Sequence, residues 1–331
     1  MRAAVCNEYG PPEVVHIEEL PSPAIGPGQA RIRVAAAAVN FPDVLLVANQ
    51  YQVSAPTPFV PGSEFAGEVV EVADDVTAVA LGDRVIGTGL VGAFAEEAVG
   101  SAQTLTKIPS EVDVRLAAAF GVAHRTAYHV VRSVAAVELG DEVVVLGAGG
   151  GVGLAAVQIA VKLGATVTAV ASSSEKLDVA RAYGAARLVN HTARDLRSAL
   201  KEVLPDGADV VIDPVGGSLS EPALRAMSWG GRFVTVGFAA GIPRIPLNLV
   251  LLKGVHVLGF QFIDFATHLP SEYRRNDDEL LELLATKRVV PHIGASFPLD
   301  ETAAALRFVA DGRAIGKVLL DVAPSRIGGA S

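Results

Sequence analysis

Hydrophobic positions follow two rhythms along this chain. Up to residue 108 they come in short, β-branched runs, "RIRVAAAAVN" (31–40), "FAGEVVEVA" (65–73) and "DRVIGT" (83–88). Gly, Pro and Asp-containing turns separate them, so this stretch reads as strands. At Ser110, with Asp113 three residues on, a capping pattern opens. The run "RLAAAFGVAHRTAYHVVRSVAA" (115–136) then continues at helical spacing. From residue 142 strands and helices alternate. Strands are expected near 142–148, 166–171, 187–190, 208–213, 231–236 and 255–260, with helices between them led by 151–163 and 174–183. That alternation predicts a parallel sheet covered on both faces. Six such strands suit two mononucleotide-binding halves. The tail predicts helices near 277–286 and 300–311, and a last strand, "GKVLLD".

Composition narrows the partners. The 331 residues suffice for two domains, and half of them are hydrophobic. A net charge of −9 argues against general binding to nucleic acid or an anionic membrane, while leaving room for a local basic pocket. The single cysteine, Cys6, excludes an internal disulfide and a Cys-rich zinc site. A reducing compartment, the cytoplasm, is expected, because "MRAAVCNEYGPP" lacks the basic and apolar regions of a secretory signal. The most apolar window, 152–171, is interrupted by Lys162 and Gly164 and reads as a buried helix and strand.

The densest chemical signal is "VVVLGAGGGVGLAA" (143–156), a strand that stops at a glycine cluster and passes into a helix. A strand turning sharply into a helix under a pyrophosphate needs small residues for three reasons: the tight turn, the approach of the phosphate, and close helix packing. Gly150, Gly151 and Gly153, with Val152 among them, serve the last two. The turn itself falls to Ala148, or to Gly147 if the frame shifts by one. The following helix offers unpaired N–H groups and its positive dipole end to an anion. About 20 residues on, the second strand ends in "TVTAVASSSEK". A carboxylate there would bind ribose hydroxyls, yet the position holds Ala171. Ser172, Ser173 and Lys176 follow, two small donors and one cation, which suits a 2′-phosphate and hence NADPH. The plain alternative is a serine cap on the next helix.

Four further stretches, "NFPDVLLVANQY" (40–51), "PGSEFAGEVVEV" (61–72), "GDRV" (82–85) and "AAAFGVAHRTAYHVV" (117–131), flank the glycine turn. Together with it and the closing "GKVLL", they make the chain resemble the zinc-independent quinone reductases. These are the zeta-crystallin-like members of the medium-chain dehydrogenase/reductase superfamily. The resemblance implies an α/β protein with a GroES-like β domain plus a Rossmann doubly wound parallel sheet. The GroES-like part would span 1–122, completed by about 265–331, and the NADPH-binding part 123–264. Where zinc alcohol dehydrogenases of that superfamily carry catalytic ligands, this chain has Asn40, Ser63 and Val122. An amide, a hydroxyl and an isopropyl group do not make a zinc site, so no metal is expected.

The resemblance also implies roles for single residues. Asn40 and Tyr51 match the polar edge of the active cleft. Thr126 matches a hydroxyl beside the nicotinamide, and His191 a contact near the adenosine phosphate. Phe238, Gln261 and Phe262 follow strand ends that face the cofactor crevice, and Arg313 matches a basic residue near the 2′-phosphate. Without a metal to polarise a carbonyl, a quinone is the natural acceptor, since its conjugated carbonyls accept a hydride readily. Alternatives are an enone or enoyl-thioester reductase, with Arg274, Arg275 and Lys253 as a basic rim, or a non-catalytic, nucleotide- or RNA-binding crystallin-like protein. The apolar strand "GVHVLGFQ" at the sheet edge, with the resemblance, implies a homodimer.

Overall fold

The computed structural model describes residues 1–322. The chain divides into two units, one formed by Met1–Val122 with the residues from Pro291 onward, the other by Ala123–Val290.

In the first unit, β1 (Arg2–Cys6) and β2 (Val15–Glu19) form an antiparallel pair. The main sheet contains β3 (Gln29–Val39), β4 (Glu64–Val72), β5 (Arg84–Thr88), β6 (Glu97–Ser101) and β7 (Thr106–Lys107). Two late strands of the chain join it, β14 (Ile293–Pro298) and β15 (Lys317–Asp321), giving the order β14-β15-β3-β4-β5-β7 with β6 also on β3. Its core gathers Ile32, Val34, Phe65, Val85, Phe94, Leu306 and Leu320. Two helices flank the sheet in sequence, α1 (Phe41–Val47) directly after β3 and α2 (Val114–Ala118) after β7. Another, α11 (Thr302–Ala310), lies between β14 and β15.

The helical run expected from Ser110 differs in two ways. Its cap is Asp113, whose carboxylate accepts from Arg115 N at 2.8 Å, while Ser110 Oγ bonds the Glu111 carboxylate instead. The helix also stops at Ala118 and resumes only at α3 (Ala123–His129). The cause is a competing acceptor: Val122 N donates to Glu64 Oε2 at 2.7 Å, a bond that an unbroken helix would spend on its own carbonyl. Gly121 gives the backbone room, since a Cβ there would lie 3.1 Å from the same oxygen.

The second unit holds a six-stranded parallel sheet of β8 (Glu142–Leu146), β9 (Thr166–Ala171), β10 (Arg187–Asn190), β11 (Ala208–Asp213), β12 (Met227–Thr235) and β13 (His256–Gly259). Their order, β10-β9-β8-β11-β12-β13, is the 3-2-1-4-5-6 sequence of a Rossmann sheet, with the direction of winding reversing between β8 and β11. Six helices follow in this unit: α4 (Gly151–Lys162), α5 (Ser174–Ala182), α6 (Leu196–Val203), α7 (Ser220–Arg225), α8 (Leu247–Lys253) and α9 (Phe262–His268). A seventh, α10 (Pro270–Ala285), is tied to α3 by the buried Arg125–Asp277 pair at 2.6 Å and a Tyr128–Glu279 bond at 2.7 Å. Those ties keep α9 and α10 in this unit, so the chain returns to the first unit at Pro291 and not near residue 265. Among the described residues no helix is long and apolar enough to cross a membrane.

Candidate functional site

The glycine turn closes β8 at the point where the sheet reverses. Gly147 takes a left-handed φ of +61°, so the tight-turn role falls to it and not to Ala148. Gly150 is the helix cap of α4, and Gly151, Val152 and Gly153 form its first turn. A Cβ on Gly153 would lie 2.1 Å from Gly147 O, so only glycine lets the helix start this close to the strand end. A Cβ on Gly149 would strike the Lys176 side chain at 2.6 Å. The turn is thus a cradle of small residues at a helix N-terminus, a shape that fits a pyrophosphate.

Lys176 reaches over that cradle from α5. Its Nζ lies 3.5 Å from Ser172 Oγ, and burial lowers its pKa. Ser173 is the cap of α5, its Oγ accepting from Lys176 N at 3.3 Å, so one serine does cap the helix. The hydroxyl hydrogen of that serine is still available to an anion. His191 stands just beyond β10; burial lowers its pKa, and the Lys176 charge lowers it further. Ala171 is buried at the end of β9. Ser172, Ser173, Lys176 and His191 therefore gather at the β9 and β10 ends with no carboxylate where a ribose partner would stand.

The remaining candidates of this unit are more scattered. Thr126 is buried in α3. Phe238 is exposed in the loop after β12, its ring beside the Gly216 turn that follows β11. Gln261 caps α9 by accepting from Asp264 N at 2.6 Å. Phe262 sits in an aromatic cluster with His129, Phe260, Phe265 and Tyr273. His129 accepts from Asn276 Nδ2 at 3.1 Å, and burial pushes its pKa down to about 4.

In the first unit, pairing brings three strand ends together. Val318 of β15 lies opposite Val39 of β3, so Lys317 falls beside Asn40. Phe65 of β4 lies opposite Ala37, which brings Glu64 alongside. Lys317 Nζ donates to Asn40 Oδ1 at 2.5 Å and to the Glu64 carboxylate. Asn40 Nδ2 donates to Glu64 Oε1 at 2.8 Å and to Ser63 Oγ at 3.2 Å. Both ends of the Asn40 amide are therefore committed, and the side chain is buried. Asp43, in the first turn of α1, accepts the Asn40 N–H at 2.7 Å and is buried, which raises its pKa to about 7. Tyr51 packs half-buried against the core of this unit, where burial and the Asp43 charge raise its pKa. Arg313 is exposed, its guanidinium 4.6 Å above the Phe308 ring.

Sequence reasoning assigned no role to Asp43, Glu64 or Lys317. Each is a charge set inside an apolar run, "NFPDVLLV", "GSEFAG" and "IGKVLL", and that incongruity is the signal that could have found them. A zinc ion does not fit here. Of Asn40, Ser63 and Val122, the first bonds Lys317 and the last offers only a backbone N–H, already spent on Glu64. The ammonium of Lys317 is the cation that balances Glu64. Among the described residues no three His, Cys, Asp or Glu side chains converge to hold a metal.

Comparison with known proteins agrees with this anatomy. Two family models match, "Alcohol dehydrogenase GroES-like domain" over residues 26–110 and "Zinc-binding dehydrogenase" over 151–282. A quinone oxidoreductase-like protein 2 homolog from Nematostella vectensis is 36% identical over 324 residues, 97% of this chain and 88% of the relative. Human quinone oxidoreductase is 30% identical over 324 residues, 97% of each chain. The crystal structure of Escherichia coli quinone oxidoreductase complexed with NADPH superposes with a TM-score of 0.90 at 25% identity, covering 97% of this chain and all of that one (100%). With the glycine cradle, the strand order and a Lys–Glu pair beside the position where a metal ligand would stand, the chain belongs to the zinc-independent, quinone-oxidoreductase-like family of the medium-chain dehydrogenase/reductase superfamily.

Proposed function

We propose that this protein is an NADPH-dependent oxidoreductase that delivers a hydride to a quinone without a metal. The observation that carries the reading is the β8–α4 cradle, with Lys176 over Gly149 and Ala171 where an NAD-selecting carboxylate would stand. The first turn of α4, from Gly150 to Gly153, would hold the pyrophosphate through N–H groups and the helix dipole. Ser172, Ser173 and Lys176 would take the 2′-phosphate, with His191 and Arg313 as further contacts. Thr126, Phe238, Gln261 and Phe262 would flank the nicotinamide. When bound, NADPH supplies the hydride. Asn40, pinned by Lys317 and Glu64, orients the polar edge, and the half-buried Tyr51 presents its hydroxyl to the acceptor oxygen.

The enoyl-thioester alternative gains little support, because Lys253 is engaged with Met227 O at 2.6 Å and Arg275 with Glu272 and Asn276. The partner is a small conjugated carbonyl, with no nucleic acid expected. A homodimer built on the β13 edge and a cytoplasmic setting complete the reading. The test is anaerobic NADPH oxidation against quinones, enones and enoyl-CoAs, with and without a chelator. Quinones should show the highest kcat/KM, unchanged by the chelator. Preference for an enoyl-CoA, or activity lost on chelation, overturns the reading.

A further inference from the structure

In the second unit, the turn that leaves β11, "DPVGG" (213–217), is built around a carboxylate that the proposed chemistry does not use. Asp213 is fully buried. Its Oδ1 accepts the Val215 N–H at 2.9 Å and the Gly216 N–H at 2.7 Å, and its Oδ2 accepts the Ser220 hydroxyl at 2.5 Å. Ser220 is fully buried as well. A carboxylate taken out of water is costly unless donors meet it, so these three bonds hold Asp213 and the turn in one arrangement.

The turn is joined to the loop after β12. Ala240 N donates to Val215 O and Gly217 N to Gly241 O, both at 2.7 Å. Gly216 takes a left-handed φ of +71°, and a Cβ there would lie 2.6 Å from Gly241 O and 3.2 Å from the Phe238 ring. Only glycine allows the two loops to approach this closely. The Phe238 ring therefore rests on a turn fixed by Asp213, while 41% of the residue stays exposed.

We propose that Asp213 is a positioning residue which, through this turn, holds Phe238 for the nicotinamide half of NADPH. The inference rests on the reading of the protein as an NADPH-dependent reductase. Its direction follows from the sheet. A dinucleotide lies across the point where the winding reverses, one half over each set of three strands. Ser172, Ser173 and Lys176 assign the adenosine half to the β8–β10 side, so the nicotinamide half falls to β11–β13. There the exposed ring of Phe238 offers an apolar face to a planar partner. A loop already fixed loses less freedom when the partner arrives, and that difference appears as affinity.

The test measures binding of NADPH and of adenosine 2′,5′-bisphosphate, which lacks the nicotinamide, by titration calorimetry. It uses full-length wild type, Asp213→Ala, Asp213→Asn, Phe238→Ala and the Asp213→Ala, Phe238→Ala double variant. Asp213→Ala should weaken NADPH about tenfold and leave the bisphosphate unchanged. Asp213→Asn keeps an oxygen for the two N–H groups and should restore most of the affinity. Phe238→Ala should match Asp213→Ala, and the double variant should be no weaker than either, because both act through one ring. If Asp213→Ala fails to fold, Gly216→Ala, which strains the same turn from the Gly241 side, takes its place in the cycle. Additive losses, or an equal loss of bisphosphate binding, overturn the positioning role and leave the functional reading standing. A wild type that binds neither nucleotide overturns both.

Discussion

Lys176 stacks its methylenes over Gly149, and desolvation there costs it part of its charge preference. A bound phosphate would offset that cost, because a charge-assisted hydrogen bond is worth about 1.5–3 kcal/mol. Lys176→Ala should weaken NADPH about tenfold or more, at about 1.4 kcal/mol per decade, and leave NADH nearly unaffected. Ala171→Asp should repel the phosphate and raise relative NADH use. Steady-state kcat/KM for both cofactors at fixed quinone and ionic strength checks each change, and equal weakening of both cofactors by Lys176→Ala would reduce "SSSEK" to a helix cap. Lys176 was legible from sequence because its partners are local: strand end, serines and cation lie within one short stretch. Lys317 was not, because its partner Glu64 lies 253 residues away and only strand pairing brings the two together.

At the level of elements, α3 passes into a π-helical turn, Val130–Val134, and packs on α10. His129 at that junction is fixed neutral by its Asn276 bond and its aromatic surroundings. Its pKa is depressed from an unfolded value near 6.5 to about 4. The sign follows directly: the unfolded chain binds the proton first, so stability present above 6.5 drains away as pH falls through 4. The full effect is roughly 3 kcal/mol at about 1.36 kcal/mol per pH unit. Thermal melts should therefore show Tm dropping over that acid window. His129→Gln, which keeps an acceptor for Asn276 but does not titrate, should show a smaller drop, and an equal drop would remove His129 from the account. The break between α2 and α3 was invisible in the sequence for a related reason. The apolar spacing of 115–136 runs straight through it, and its cause, Glu64, belongs to a distant strand. By contrast, the six strands of the second unit were read close to their true positions. A buried parallel strand is a continuous apolar run, whose pattern needs no knowledge of its neighbours.

For the whole molecule, β13 is the open edge of the parallel sheet, and Val257 on it is 44% exposed. Trp229, Leu251 and Leu252, on and after β12, are also exposed. Such an edge with apolar surroundings favours pairing with a second copy. Light scattering at micromolar concentration should give a dimer, and a Val257→Pro variant should shift it to monomer by denying one edge hydrogen bond. A monomeric wild type would refute the edge-pairing proposal.

The register of β15 on β3 has a consequence for the order of events at the ribosome. The second unit is one uninterrupted segment, Ala123–Val290, and is complete in the nascent chain while the first still lacks β14 and β15. Until Lys317 emerges, Glu64 has a place in a buried sheet and no counter-ion, a state costly enough to keep that region open. The first unit, although made first, is thus finished last, and its closing step delivers the cation that holds Asn40.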